Sequence, residues 1–478
     1  MTFRRSLGWS FSQQIGVFGL QTINMVVIAR LLSPEEVGVF IVAFSIAMLL
    51  QNLRELGLTS YLIHEPDLTD GKISSVFGLS LLMGVVVAAG LFASRNILET
   101  FMGIDGLAQV ISIICLVALV FPIEHTSQAL IRREMRFKVL HHVSLSAKLA
   151  GVLSSIGLAI AGFSYMALVW GMLIEAVMRA VLLCFAENRH LRLGPGFGEW
   201  RHVIGFGGWA SGASMSNMVS EMAPNIILGG VMGAGATALY DRGARIPMMV
   251  RQSIFMPIGR VVMPAFAQDL RAGFHIGTKI EKLVALNTVL VWPAFLVLFF
   301  IAEEFVTIVF GEDWIEVASL LPYLLLAHAI SSLLPPPDQI MVPYGKVKEL
   351  FVYRVIQAAF TLPTIYIAAT QGLEPFLLAL VGTMALSVLM FWAATSQMMQ
   401  VRTWTLLQIH AKSFAIALFT ASPVAVAQFR LPDSGPWTLI GSIILGAVLW
   451  AFAVSAFRHP LAGEVRRFIS NRSLNKTA

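Results

Sequence analysis

The 478-residue chain is 57% hydrophobic and only 13% charged, with a mean hydropathy of +0.78. Soluble domains carry about 25% charged residues, so this composition leaves too little polar surface for a soluble enzyme, a disordered chain or a nucleic-acid binder. The formal charge of +6, from 33 Lys and Arg against 27 Asp and Glu, therefore points to a cytoplasmic membrane face rather than to a nucleic-acid surface.

Apolar runs of about 20 residues are long enough to cross about 30 Å of hydrocarbon. Fourteen are predicted in chain order: 8–31, 37–56, 74–95, 106–123, 143–163, 164–186, 203–231, 244–265, 281–310, 316–334, 347–370, 373–398, 408–429 and 436–457. Arg4 and Arg5 precede the first, which outlasts a signal-peptide core and lacks an early small-x-small cleavage pattern, so it is expected to remain as a span. Cys115 and Cys184 each lie inside an apolar run and read as small buried hydrophobes, not as a disulfide or a metal site. The connections are too short for a soluble domain, and no G-x-x-x-x-G-K-[ST] occurs, so neither an ATPase domain nor a cofactor is expected.

Placing the N-terminus in the cytoplasm puts 28 of the 33 cations on the inner side, which predicts cytoplasmic N- and C-termini. The acidic connection with Glu303, Glu304, Glu312, Asp313 and Glu316 then falls outside. A weak repeat at an offset of 200 sets Trp9 over Trp209, Gln14 over Ser214, Gln21 over Glu221 and Phe40 over Tyr240. The offset joins span one to span seven, and an even separation keeps membrane orientation. It predicts an all-α polytopic protein with about 14 transmembrane helices in two pseudo-symmetric bundles around a central cavity, a transporter plan. The expected divisions are a six-helix lobe at 1–200, a second at 201–400, two further helices at 401–457 and a basic cytoplasmic tail at 458–478 suited to anionic lipid.

Polar residues inside the spans name the candidate path. Ser10, Gln13, Gln14, Gln21 and Asn24 fall within an arc of about 100° on span one, and Ser214, Asn217, Glu221 and Asn225 within about 80° on span seven. Such stripes face a wet cavity or join helices inside one bundle. Glu175 and Arg179, four apart on span six, are expected to satisfy one another. Glu221, with no obvious local partner, is a candidate ion or proton site. Arg242, Arg245 and Arg260 share one side of span eight and Arg251 takes the other, while Arg354 sits two turns into span eleven. Arg260 and Arg354 either face the cavity or snorkel to the interface. His328 reads as a satisfied buried histidine.

Several segments, in order, resemble the bacterial polysaccharide transporter family, the Wzx-type lipid-linked oligosaccharide flippases of the multidrug/oligosaccharidyl-lipid/polysaccharide export superfamily. They are Ile28–Phe40 (IARLLSPEEVGVF), Arg54–Leu58 (RELGL), Leu130–Lys138 (LIRREMRFK), Leu239–Pro247 (LYDRGARIP) and Phe310–Trp314 (FGEDW). The resemblance implies a non-enzymatic inner-membrane flippase that moves a polyprenyl-diphosphate-linked repeat unit outward by rocking of two lobes. The family often sets cavity arginines against the substrate pyrophosphate; from their positions in the spans, Arg260 and Arg354 are expected to attract the anion, with Arg54 at the cytoplasmic entrance. Gln14, Gln21, Asn24 and Asn217 would then bond sugar hydroxyls. Membrane lipid, a polysaccharide polymerase and chain-length regulators are the expected partners. A cation-coupled drug antiporter of the same superfamily and a polytopic glycan polymerase or ligase are the alternatives; the first needs acidic sites, the second a long outer loop.

Overall fold

Hydrocarbon offers no partner to a free N–H or C=O, so a spanning segment satisfies its backbone internally, as a helix. The computed structural model describes residues 3–55, 58–200, 208–271, 277–430 and 436–457, with 459 and 461; of these, the side chains of 3–7, 52–55, 60, 64, 208–211, 254–271 and 436 are outside the description. Among the described residues all regular structure is helical. Fourteen helices have 16 residues or more. The first seven are α1 (Phe3–Ala29), α2 (Pro34–Glu55), α3 (Asp70–Met102), α4 (Leu107–Arg133), α5 (Phe137–Ile160), α6 (Met166–Ala186) and α7 (Gly208–Met232). The second seven are α8 (Ala234–Arg271), α9 (Gly277–Phe300), α10 (Glu316–Ser331), α11 (Val347–Ala369), α12 (Leu373–Met399), α13 (Thr403–Arg430) and α14 (Pro436–Ala456).

These helices follow the fourteen predicted spans in order; α3 and α4 run past 95 and 123 to Met102 and Arg133, 203–207 of the seventh lie outside the described residues, and two more spans differ in a way the sequence explains. The ninth does not run to 310: it ends at Phe300, and a separate helix, Ala302–Val309, begins with Glu303 and Glu304 in its first turn. Carboxylates favour a helix N-terminus, where free N–H groups concentrate positive charge, so the acidic pair suits a new start there. The eighth extends far beyond 244–265, over Ala234–Arg271. Its start repeats that of α2 at the offset of 200, since Pro34 opens α2 and Ala234 opens α8.

Packing groups the chain into two compact units. One runs to Asp241 and adds Val309–Trp314 and Arg354–Gly372; the other takes Arg242–Ile308, Ile315–Tyr353 and the helices from Leu373 onward.

In the first unit α1 packs on α5, α5 on α6, α4 on α3 and α6, and α2 on α7. Val42, Leu91, Leu107, Ile111 and Ile114 form a buried core between α2, α3 and α4. A Cβ built on Gly151 would lie 2.7 Å from the Glu175 Cβ and 3.0 Å from the Gly171 carbonyl oxygen, so only small residues allow α5 and α6 to close this far. Two of the sequence motifs act as fasteners. The buried Trp314 donates its indole N–H to the carbonyl of Ala29 at 2.7 Å, which satisfies an end carbonyl of α1. The Arg133 guanidinium donates to the carbonyls of Leu62, Ile63, Glu65 and Pro66, and so closes the short helix Leu58–His64 over buried Leu58, Tyr61 and Leu62. In the connection after α6, His190 is fully buried edge-on against Phe77, and burial pushes its pKa down to about 4.

In the second unit α9 packs on α13, α13 on α14, and α10 on α9 and α12. Polar bonds stitch these contacts: Thr288 to Ser413 at 2.8 Å, the Trp450 indole to the Val289 carbonyl at 2.9 Å, and the Asn287 amide to the Ser332 carbonyl at 3.1 Å. Outer faces stay apolar. Leu82, Val85, Val86 and Phe92 on α3 and Ile444, Leu445, Val448 and Phe452 on α14 are exposed, as surfaces bathed in lipid require.

Candidate functional site

Ten of the fourteen helices contain a window of 18 described residues apolar and charge-poor enough to lie in hydrocarbon. α10 is apolar but short. The remaining three are α1 and α7, which carry the predicted polar stripes, and α8, which carries Arg242, Arg245, Arg251 and Arg260. A helix too polar for lipid all round must present that polarity to protein or water.

On α1 the stripe divides between two neighbourhoods. Gln13 Nε2 donates to Ser144 Oγ at 2.8 Å, and Asn24 Oδ1 accepts from Ser155 Oγ at 2.7 Å, both on α5. Gln14 and Gln21, at the other edge of the arc, are exposed. One edge of the stripe therefore joins helices, and the other keeps its amides open.

The α5 face that meets Gln13 and Asn24 continues as Ser144, Lys148, Gly151 and Ser155, spaced as one side of a helix. Lys148 Nζ reaches Glu175 Oε2 at 3.0 Å. Glu175 also pairs with Arg179, as the four-residue spacing predicts, and Arg179 Nη1 reaches Glu124 Oε1 at 2.9 Å. Sequence reasoning found the middle pair but missed its two ends, which come from α4 and α5. The result is a neutral chain of four alternating charges on three helices, each side chain only 12–24% exposed.

On α7, Asn217 Nδ2 donates to Glu221 Oε1 at 2.8 Å. The expectation that Glu221 lacks a local partner is thus corrected: a residue four positions earlier faces the same side of the helix. Glu221 itself is exposed. One turn further, Asn225 is buried and donates to Ser45 Oγ and to Asp241 Oδ1, both at 3.2 Å.

On α8, Arg251 points to α10, where its Nη1 donates to Ser331 Oγ at 2.8 Å and lies 3.3 Å from His328 Nδ1. Its Nε is buried without a partner, and no carboxylate pairs with it among the described residues. His328, read as a satisfied buried histidine, is half-buried and has the Arg251 guanidinium as its neighbour. The helical angle places Arg251 opposite the other α8 arginines and no more. The missing information was which helix lies on that side.

Arg354 is half-buried on α11 and its Nη1 donates to Gln357 Oε1 at 3.4 Å. The side chains of Arg54 and Arg260 lie outside the described residues; their backbones belong to α2 and α8.

Residues 27–319 match the polysaccharide biosynthesis protein family. The chain belongs to that family. The chain is similar to the lipopolysaccharide biosynthesis protein WzxC of Escherichia coli (strain K12), at 23% identity over 372 residues, covering 76% of this chain and 74% of WzxC. The succinoglycan biosynthesis transport protein ExoT of Rhizobium meliloti (strain 1021) is 24% identical over 382 residues, covering 78% of this chain and 75% of ExoT. Among solved structures, the lipid II flippase MurJ in its inward closed conformation superposes with a TM-score of 0.75 at 12% identity, over 95% of this chain and 100% of that one. That likeness is one of fold, an all-α polytopic membrane architecture. All five sequence motifs fall inside the segment matched to the polysaccharide biosynthesis protein family, whereas α11–α14 lie beyond it.

Proposed function

We propose that this chain is a flippase that moves polyprenyl-diphosphate-linked oligosaccharide repeat units from the cytoplasmic to the outer face of the bacterial inner membrane, for exopolysaccharide, capsule or O-antigen synthesis. The observation that carries this reading is Arg251: a guanidinium on α8, hydrogen-bonded to Ser331, beside His328 and without a carboxylate partner among the described residues. An ionised side chain at membrane depth costs about 2.5–3.5 kcal/mol even on the lenient insertion scale, so an uncompensated one is kept for a mobile anion. A diphosphate is such an anion. Its glycan cannot cross hydrocarbon unaided, whereas the polyprenyl tail can remain in lipid.

In this proposal both termini are cytoplasmic, and lobes 1–200 and 201–400 alternate access to the substrate, with 401–457 as added helices and 458–478 resting on anionic lipid. Arg251 joins Arg260 and Arg354 in attracting the diphosphate, with Arg54 at the entrance. Gln14, Gln21 and Asn217 bond sugar hydroxyls. Asn24, whose oxygen is taken by Ser155, contributes its amide N–H groups. Moving about two negative charges outward against an inside-negative potential is downhill by about 2.3 kcal/mol per charge per 100 mV, so the potential alone drives export. Glu221 offers proton or sodium coupling as a second input. A polymerase and a chain-length regulator then consume the exported unit. A drug antiporter would instead draw its cation to carboxylates, and the cationic motifs LIRREMRFK and LYDRGARIP argue against that cargo.

The test is a strain lacking this gene. Lipid-linked repeat units should accumulate on the cytoplasmic face and clear when the chain is restored. Normal export without the chain would refute the assignment.

A further inference from the structure

We propose that the first two turns of α5, together with Trp9 of α1, form a docking site for a phosphate ester at the membrane surface, distinct from the arginines discussed above. The inference rests on the proposed flippase function, which places this end of both helices at the cytoplasmic interface.

The site is a cluster of three rings and an ammonium. Ring centroids lie 5.1 Å apart for Trp9 and His141, 5.6 Å for Trp9 and His142, and 5.1 Å for the two histidines. Lys138 Nζ stands 5.8 Å from the Trp9 ring. Residues 138, 141 and 142 share one helix face through their i, i+3 and i+4 spacing. Lys138 brings a positive charge beside two imidazoles able to donate N–H bonds, and nothing in the first turn of α5 offsets that charge. That turn holds no acidic residue, and the helix start has no side-chain cap. A helix N-terminus adds its own partial positive charge. The nearby Arg136 is different: it is already bound to Glu134 and Glu187, at 3.0 Å and 3.4 Å, so those carboxylates are committed elsewhere.

A second observation points to a ligand rather than to a simple tryptophan anchor. His141 is only 8% exposed, and its Nδ1 has no hydrogen-bond partner. Burying an imidazole nitrogen without a partner is costly, and an interfacial tryptophan needs no such neighbour. Lys138 and His142 remain exposed beside it, able to close on an anion. With a phosphate alongside, the imidazoles donate N–H bonds, the ammonium pairs with the charge, and the Trp9 ring covers the adjoining sugar or chain. The position fits the first encounter of a lipid-borne diphosphate with the protein. The same chemistry would hold the phosphate of an anionic phospholipid.

The experiment measures binding of farnesyl diphosphate to the full chain in nanodiscs, made either with neutral lipid only or with phosphatidylglycerol. Lys138→Gln/His142→Gln changes only exposed side chains, and its thermal unfolding should match wild type. Binding should weaken about tenfold or more, equivalent to about 1.4 kcal/mol. If phosphatidylglycerol leaves wild-type binding unchanged, the site serves the diphosphate; if it competes and the double variant abolishes that competition, the site serves a phospholipid headgroup. Equal binding by wild type and double variant in both discs would overturn the docking site while leaving the flippase reading in place. A wild-type chain that binds no farnesyl diphosphate at all, with no effect of phosphatidylglycerol, would count against both.

Discussion

Arg179→Met should destabilise the folded chain by on the order of 3 kcal/mol, the low end for breaking a buried ion pair because the side chains retain some exposure. Arg179 is the only group of the quartet that binds both carboxylates, Glu124 and Glu175. Its removal leaves Lys148 to compensate Glu175 and strands Glu124 inside the helix bundle. The cost comes from the abandoned charge, not from the strength of the pair. Replacing all four members with apolar residues of similar volume should therefore cost far less than the single change. Thermal unfolding of the detergent-purified protein checks both. An Arg179→Met chain as stable as wild type would show that the quartet is solvated and contributes nothing to the fold.

Arg251→Met should behave in the opposite way. The substitution removes a charge that has no carboxylate partner among the described residues, so stability should hold or rise. Flipping should fall by about 100-fold, the scale of about 2.7 kcal/mol expected when a charge-assisted bond to a bound anion is lost. Arg251→Lys keeps the charge but not the planar fork that bridges Ser331 and His328 while presenting a second edge to a phosphate, so it should recover only part of the activity. Complementation of the deletion strain, read alongside thermal unfolding, separates the two effects. Full transport by Arg251→Met would remove this arginine from the path. A collapse in stability would show that it acts as a strut between α8 and α10.

Much of the architecture was readable because membrane depth imposes one length and one backbone solution on every span. The break in α9 was not, because the run Phe300-Ile301-Ala302 stays apolar while the acidic pair that favours a new helix start follows immediately. The site was legible in kind and not in partnership. Helical angles place Gln13, Gln14, Gln21 and Asn24 on one arc, but an arc of about 100° is wide enough to touch two different neighbours. Gln13 and Asn24 meet α5 while Gln14 and Gln21 do not. Likewise Glu175 and Arg179 announce each other locally, whereas Lys148 and Glu124 reach them only because Gly151 and Gly171 bring α5 against α6 and α4 packs on α6. Arg251 shows the same limit, since its helical angle says where it points and only packing says that His328 is there.

The central claim is that a diphosphate-bearing lipid crosses through this protein and that its charge is what the membrane acts upon. The direct measurement is flipping of a polyprenyl-diphosphate-linked oligosaccharide in sealed vesicles containing the purified chain, followed by the substrate's accessibility on each face while a potential is imposed. The account predicts protein-dependent flipping that accelerates when the destination side is positive and slows when the potential is reversed. Flipping indifferent to the potential, or no faster than in protein-free vesicles, would contradict it.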